Sequence, residues 1–232
     1  MTRTGSNRAM ARISAGLLVS LAATTVALYL AREATGAQGN GMTTANSVRG
    51  KELYTKICIP CHGEVAEGKR ELMSPALHQQ EGWYIISQLQ KFREGHRGAD
   101  PNDTSGALMR PMALVLPDEQ AILDVTAYIK TLKGPAPKPE VKGDPKAGAG
   151  QYAIVCAACH GKNGEGNPDL KTPALAGQND WYVVAQLEKF KKGYRGSDPK
   201  DITGLQMKGM AGTLTTDQAV RDVAAYIATL SK

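Results

Sequence analysis

The chain contains the same unit twice, one copy after the other. When the sequence is shifted by 98 residues, residues 50–132 align with residues 148–230 without a gap, and 39 of the 83 aligned positions are identical. Self-similarity over this length indicates the tandem duplication of one domain. The 232 residues are enough for two such domains, a segment before them and a connector between them.

Each copy has the patterns of an all-α domain. We predict helices over residues 48–57 and 83–92, and the second of these recurs as residues 181–190. A last helix in each copy is indicated by apolar residues at 3.6-residue spacing, namely Ile122, Val125, Ile129 and Leu132, then Val220, Val223, Ile227 and Leu230. Thr215 with Gln218 forms a capping box that predicts where the later one begins. Alternating Val and Ile residues long enough for a sheet are absent from the sequence.

The expected organisation has four parts. Residues 1–37 form a leader, residues 48–133 a first domain and residues 147–232 a second domain. Residues 134–146 between the domains are rich in proline, which favours an extended connector over a helix.

The leader has the pattern of an export signal. Arg3, Arg8 and Arg12 precede an uncharged apolar stretch over residues 13–30, and small residues up to Ala37 resemble a cleavage site. The apolar stretch is longer than in most signal peptides and almost long enough to span a membrane. We therefore keep two interpretations, a cleaved signal peptide and a retained N-terminal membrane anchor. Both place the remaining chain in a bacterial periplasm, either soluble or anchored to the inner membrane.

The charge distribution argues against a nucleic-acid-binding protein. The formal net charge is +6, but half of the basic excess lies in the leader. The other half lies after residue 134, where a group of lysines favours a docking surface for an acidic partner, with an ordinary solvated face as the alternative: Lys189, Lys191, Lys192, Lys200 and Lys208. This excess is too small for a phosphate-binding surface.

All four cysteines belong to one repeated motif. Cys58-Ile-Pro-Cys61-His62 recurs as Cys156-Ala-Ala-Cys159-His160, and Cys-x-x-Cys-His is the attachment signature of c-type haem. The two thiols form thioethers with one porphyrin, and the histidine binds its iron. A thioredoxin-like pair would require a βαβ context, structural zinc would require a fourth ligand, and a disulfide would close a very small loop. The sequence therefore predicts two covalently bound haem c groups, which also explain how small domains with only 5% aromatic residues fill their cores.

Counting the histidines limits the candidates for the sixth iron ligand. In the second copy His160 is the only histidine, so a second histidine cannot bind that iron. Thioether sulfur is the next candidate, and the copies share the pairs Met109/Met207 and Met112/Met210 in a Gly-rich loop before the last helix. In the first copy His78 and His96 are weaker competitors, because their counterparts are Ala176 and Tyr194.

Taken together, the motifs resemble the class I cytochrome c superfamily. Two such domains in tandem, each with the pattern Trp-Tyr-x-x-x-Gln-Leu-x-x-Phe, are similar to the dihaem cytochrome c4 family. The resemblance covers both copies. It implies an all-α fold in which each domain wraps around one covalent haem with a His/Met-ligated iron. By the family pattern the ligands are Met109 and Met207, with Met112 and Met210 as alternatives.

The resemblance also implies supporting roles. A backbone carbonyl near Pro75 or Pro173 accepts the proximal imidazole N–H. Contacts with the haem propionates are implied for four residues, Arg97, Arg195, Trp83 and Trp181, and a plain surface position is the alternative for each arginine. The first and last helices are expected to cross at Gly50, Tyr54 and Tyr128, and at Gly148, Tyr152 and Tyr226 in the second copy.

The implied function is single-electron transfer without catalysis. A six-coordinate iron has no vacant position for a substrate, and methionine ligation raises the reduction potential. The expected donor is a quinol-oxidising complex or a periplasmic dehydrogenase, and the expected acceptor is a terminal oxidase. One rival is a membrane-anchored subunit of a larger respiratory or photosynthetic complex, held by residues 13–30. A dihaem peroxidase is a weaker rival, because it requires an open iron position.

Overall fold

The computed structural model of the chain describes residues 44–230, and these residues repeat one order of helices twice. The first copy contains α1 (Ser47–Leu53), α2 (Ile59–His62), α3 (Gly82–Glu94), α4 (Thr104–Leu114) and α5 (Glu119–Ile129). The second copy contains α6 (Pro145–Val155), α7 (Ala157–His160), α8 (Asp180–Lys192), α9 (Ile202–Gly212) and α10 (Asp217–Ile227). A π-helical turn, Tyr54–Cys58, joins α1 to α2, and a short 3-10 helix, Arg70–Leu72, follows α2.

The described part of the chain is all-α. Between residues 44 and 230 the β structure consists of two isolated bridges, Lys69 with Ser74 and Asn167 with Thr172. None of the helices in this range is long and apolar enough to cross a lipid bilayer. The predicted signal peptide or membrane anchor, residues 1–37, lies outside the described residues.

The first and last helices of each copy cross in close contact, and a glycine makes this approach possible. A Cβ atom on Gly50 would lie 1.9 Å from the backbone oxygen of Asp124, and one on Gly148 would lie 2.0 Å from that of Asp222. Beside the first crossing, the rings of Tyr54 and Tyr128 pack with centroids 5.4 Å apart. The crossing therefore brings the helix that leads into the Cys-x-x-Cys-His motif against the helix that ends the domain.

The last helix of the second copy begins one residue later than the sequence predicted. Thr216, in an extended conformation, accepts a hydrogen bond from the backbone N–H of Ala219 at 3.1 Å, so Thr216 is the N-cap residue. The capping box assigned to Thr215 and Gln218 is therefore wrong by one position. Gln218 instead donates to the carboxylate of Asp222 at 2.7 Å.

The segments that carry the shared methionines are helices, which corrects the prediction of a Gly-rich loop. Met109 lies on α4 and Met207 on α9. Each helix begins at a buried aspartate, which is its N-cap residue. Asp103 accepts a hydrogen bond from the N–H of Gly106 at 2.9 Å, and Asp201 accepts one from the N–H of Gly204 at 2.9 Å. A carboxylate at this position satisfies free backbone donors and favours the helix despite its glycines.

The connector between the copies is extended and lies along the second copy. Residues 134–144 contain no helix, and the backbone N–H groups of Glu140 and Val141 donate to the buried carboxylate of Asp180 at 2.7 and 2.9 Å. Pro145, within the segment expected as the connector, is the first residue of α6. A proline is well suited to that position, since the first helical residue needs no N–H donor.

Candidate functional site

The Cys-x-x-Cys-His motifs lie where the first helix of each copy ends. Cys58 ends the π-helical turn, and Cys61 and His62 follow on α2. The chain leaves α2 through Gly63 at φ 84°, and the hydroxyl of Tyr54 donates to the oxygen of Gly63 at 2.7 Å. The second copy repeats this contact between Tyr152 and Gly161 at 2.8 Å, so the crossing tyrosine holds each motif in place.

Both motif histidines are buried and oriented by a backbone carbonyl. The Nδ1 atom of His62 lies 3.0 Å from the oxygen of Pro75, and that of His160 lies 2.8 Å from the oxygen of Pro173. A carbonyl can only accept, so Nδ1 carries the proton and Nε2 keeps its lone pair. Burial lowers the pKa of both histidines, with the carbonyl partner opposing this effect. The imidazoles are therefore neutral near pH 7, which is the form that binds a metal.

None of the four cysteines is in a disulfide. Burial, reinforced by Cys61, raises the pKa of Cys58 to about 12, and burial with Cys159 raises that of Cys156 to about 11. Over residues 44–230 no cluster of three or more His, Cys, Asp or Glu side chains is placed to hold a metal ion.

A cavity of about 430 Å³ lies beside the motif of the first copy. Its wall contains Cys58, Cys61 and His62 together with Met109 and Met112, and most of the remaining lining is apolar. The wall also contains the buried Arg97, whose Nε has no hydrogen-bond partner. A flat, mainly apolar group that carries carboxylates fits this wall, because the free donor can take a carboxylate oxygen. Haem is such a group.

The two methionines of each copy differ in burial. Met109 packs against the core of the first copy and Met207 against that of the second. Met112 is 37% exposed and Met210 is 39% exposed. The more buried pair is the pair that the family pattern selects.

Arg97 and Arg195 lie in a network between the two copies, so a plain surface position is wrong for both. They are 7% and 8% exposed. Arg97 donates to Gln88 at 2.8 Å in its own copy and to Gln186 at 3.1 Å in the other. Arg195 donates to Gln186 at 2.7 Å and to Gln88 at 2.9 Å, so the two arginines share both glutamine acceptors.

The tryptophans lie next to this network. Trp83 packs edge-on against Tyr84 with centroids 5.7 Å apart, and Trp181 packs in the same way against Tyr182 at 6.1 Å. Neither tryptophan is part of the cavity wall described above, whereas both tyrosines are. The hydroxyl of Tyr182 accepts from Arg97 at 2.8 Å.

The remaining histidines bond elsewhere. His78 Nδ1 lies 3.0 Å from the oxygen of Ala66. His96 lies between the carboxylates of Asp198, at 2.8 Å, and Glu94, at 3.2 Å. Neither is in the wall of the cavity that contains His62, so the structure does not bring them to the site.

Each Met-bearing helix is held by a lysine from the other copy, a contact that the sequence analysis missed. Lys91 donates to Asp201 at 2.6 Å and to Thr203 at 2.7 Å. Lys189 pairs in the same way with Asp103. The assignment of Lys189 to a docking surface is therefore wrong, since burial in this contact removes its ammonium group from the surface. The available signal was that Lys and Asp are identical in both copies at these positions.

The comparisons with known proteins agree with this geometry. The family model described as Cytochrome c matches residues 47–133 and 145–231. A thiosulfate dehydrogenase electron acceptor from Stutzerimonas stutzeri (strain A1501) is 32% identical, over 89% of this chain and 92% of that protein.

Two solved structures are similar to the chain. One is the reduced recombinant cytochrome c4 from Pseudomonas stutzeri, with a TM-score of 0.60 and 25% identity over 80% of this chain and 99% of that one. The other is thiosulfate dehydrogenase (TsdBA) from Marichromatium purpuratum, with a TM-score of 0.64 and 29% identity over 78% of this chain. The present chain spans 40% of the length of that enzyme chain. With two family domains, two attachment motifs and a fold shared with cytochrome c4, the chain belongs to the cytochrome c family and is a dihaem, cytochrome c4-like electron carrier with two covalently bound haem c groups.

Proposed function

We propose that this protein accepts single electrons from a periplasmic thiosulfate dehydrogenase and passes them to a terminal oxidase. The observation that carries the proposal is the similarity over nearly the full length of both chains to a protein named as the electron acceptor of thiosulfate dehydrogenase. The quinol-oxidising complex expected from the sequence is the alternative donor. The +3 charge beyond residue 134 and the remaining surface lysines favour an acidic partner.

In this proposal each copy holds its haem with its own cysteines, histidine and methionine. Cys58 and Cys61 bind one porphyrin, and Cys156 and Cys159 the other. The residues that would bind the iron are His62 with Met109, and His160 with Met207. The haem, when bound, supplies reversible one-electron chemistry at iron.

The surrounding residues set the conditions for that chemistry. The carbonyls of Pro75 and Pro173 hold the proximal imidazoles in one tautomer and make them more basic ligands. Arg97, whose Nε has no hydrogen-bond partner in the cavity wall, would contact a propionate of the first haem. Arg195 is the equivalent residue of the second copy and is proposed for the same role there. The apolar wall of the first cavity excludes water, and a dry site favours the less charged ferrous state.

A stopped-flow experiment with the full-length holoprotein tests the donor. We expect catalytic amounts of thiosulfate dehydrogenase plus thiosulfate to reduce both haems at a rate proportional to the enzyme concentration. The same mixture without thiosulfate is the control. The proposed donor is wrong if the complete mixture with thiosulfate leaves the haems oxidised while a quinol-oxidising complex with quinol reduces them.

A second role, as part of a larger assembly, is favoured by one comparison. The two-domain fold aligns with 40% of a longer thiosulfate dehydrogenase chain. This alignment supports a second proposal, in which the protein is a bound subunit of an enzyme or respiratory complex. Native mass spectrometry of the purified protein separates the two proposals. A mature N-terminus near Gln38 and a free monomer favour the carrier, whereas retention of residues 1–37 and a stable larger mass favour the subunit.

A further inference from the structure

The loop that orients each proximal histidine is held by the opposite copy. In the first copy the oxygen of Ala76, next to Pro75, accepts from the side chain of Gln178 at 3.2 Å. In the second copy the oxygen of Ala174 accepts from Gln80 at 3.2 Å. These bonds are related by the 98-residue repeat, and glutamine is present at both positions. They brace the two histidine loops equally.

A second pair of cross-copy bonds reaches the same loops, and here the two copies differ. The N–H of Ala76 donates to the amide oxygen of Asn179 at 2.8 Å. The N–H of Ala174 donates to a carboxylate oxygen of Glu81 at 3.2 Å. Residues 81 and 179 are equivalent in the repeat, so one position carries a charged acceptor in the first copy and a neutral one in the second.

Each of these bonds acts on the peptide group that contacts the histidine. The C=O of Pro173 and the N–H of Ala174 belong to one peptide bond, and that C=O accepts from His160 at 2.8 Å. Electron density donated at the N–H end is passed to the carbonyl oxygen, because hydrogen bonds in a chain polarise one another. A carboxylate is the stronger acceptor, since charged partners make stronger hydrogen bonds than neutral ones.

We propose that Glu81 and Asn179 are positioning residues that tune the haem of the opposite copy through the peptide next to its proximal histidine. The series of hydrogen bonds from Glu81 through the Pro173–Ala174 peptide to His160 makes His160 the more basic ligand. It also adds a negative charge on the His160 side of the second haem. Both effects stabilise ferric iron and lower the reduction potential in the second copy. The equivalent series from Asn179 through the Pro75–Ala76 peptide to His62 lacks this charge. In this proposal the haem of the first copy therefore keeps the higher reduction potential. The inference rests on the proposed ligation of iron by His62 and His160.

Reciprocal single substitutions test the proposal in the full-length holoprotein. Glu81→Gln keeps an acceptor oxygen but removes the charge, whereas Asn179→Asp adds a charge at the equivalent position. Redox titration followed by visible absorption resolves the two one-electron steps, and ferric-haem NMR assigns each step to a copy. We expect Glu81→Gln to raise the potential of the second copy and Asn179→Asp to lower that of the first. Each substitution should change the equilibrium constant for electron exchange between the haems by about tenfold, which equals the lower limit of the loss in metal affinity or activity that follows removal of an outer partner of a metal ligand.

Glu119→Gln is the matched control. Its carboxylate bonds only Gln90 and Arg93 among the hydrogen bonds and ion pairs described for its side chain, all within the first copy. This substitution should change the exchange constant by less than either test variant. The proposal is overturned if both test variants shift the same copy, or if neither exceeds the control while the low-spin His/Met spectrum is intact. Loss of that spectrum in the unsubstituted protein would instead contradict the proposed ligation. If one variant fails to fold, the other tests the same effect in the opposite copy.

Discussion

Lys91 of the first copy forms a buried ion pair with Asp201 of the second, with Nζ and Oδ1 2.6 Å apart. Asp201 is also the N-cap of α9, the helix that carries Met207. The side chains of Lys91 and Asp201 are 18% and 2% exposed, so little water is available to replace either partner. The pair therefore links the packing of the two copies to the position of a proposed iron ligand.

We expect Lys91→Met to lower the free energy of unfolding by about 3 kcal/mol, because removing one partner leaves a buried carboxylate without its counterion. Lys192→Met is the control, since Lys192 is 57% exposed and pairs with Glu188 at 3.5 Å on the same helix. The control should change stability by less than about 1 kcal/mol. Chemical denaturation of the holoprotein measures both effects. Equal effects of the two substitutions would show that the cross-copy pair does not stabilise the fold.

The helix crossing in the second copy provides a second prediction. A methyl group on Gly148 would lie 2.0 Å from the backbone oxygen of Asp222, so Gly148→Ala must separate α6 from α10. We expect a loss of about 3 kcal/mol in the free energy of unfolding, at the upper end of the usual cost of overpacking.

Gly150 on the same helix is the control for this prediction, because a Cβ atom there meets nothing within 4 Å. Gly150→Ala should stabilise the protein by about 0.5–1 kcal/mol through helix propensity. Thermal unfolding of the two variants measures the difference. A neutral Gly148→Ala would contradict the close crossing.

The proposed axial ligands predict a spectroscopic result. Met109→Ala and Met207→Ala should each remove half of the near-infrared band that arises from methionine bound to ferric haem. Met112→Ala and Met210→Ala, which alter the more exposed methionine of each copy, should leave the band intact. The reverse result, with loss only in the second pair of variants, would move the assignment to Met112 and Met210.

The features within one copy were accessible from the sequence. The Cys-x-x-Cys-His motif, its position at the end of the first helix and the apolar spacing of the last helix are local patterns. Predictions were less accurate where a neighbouring residue offers the same chemistry. Thr215 and Thr216 are both competent caps, and the choice between them depends on which hydroxyl meets the N–H of Ala219.

The contacts between the copies could not be derived from the sequence, although the Lys and Asp residues that are identical in both copies were a signal for two of them. Because Gln88 and Gln186 are equivalent, sequence alone cannot tell whether Arg97 bonds one of them or both. Lysine is usually found at the protein surface. Lys189 is buried against Asp103 only because the two copies pack together. The segments that carry the methionines were predicted as loops because they contain glycine, one in α4 and three in α9. Their buried aspartate caps stabilise the helices nonetheless.

The central claim is that each copy holds one redox-active, six-coordinate haem. The most direct measurement is an anaerobic reductive titration of the full-length holoprotein, followed by visible absorption and by addition of carbon monoxide. The account predicts that each chain takes up two electrons in two one-electron steps, with low-spin spectra and little carbon monoxide binding at neutral pH. Uptake of one electron per chain, or rapid stoichiometric binding of carbon monoxide to the ferrous protein, would contradict it.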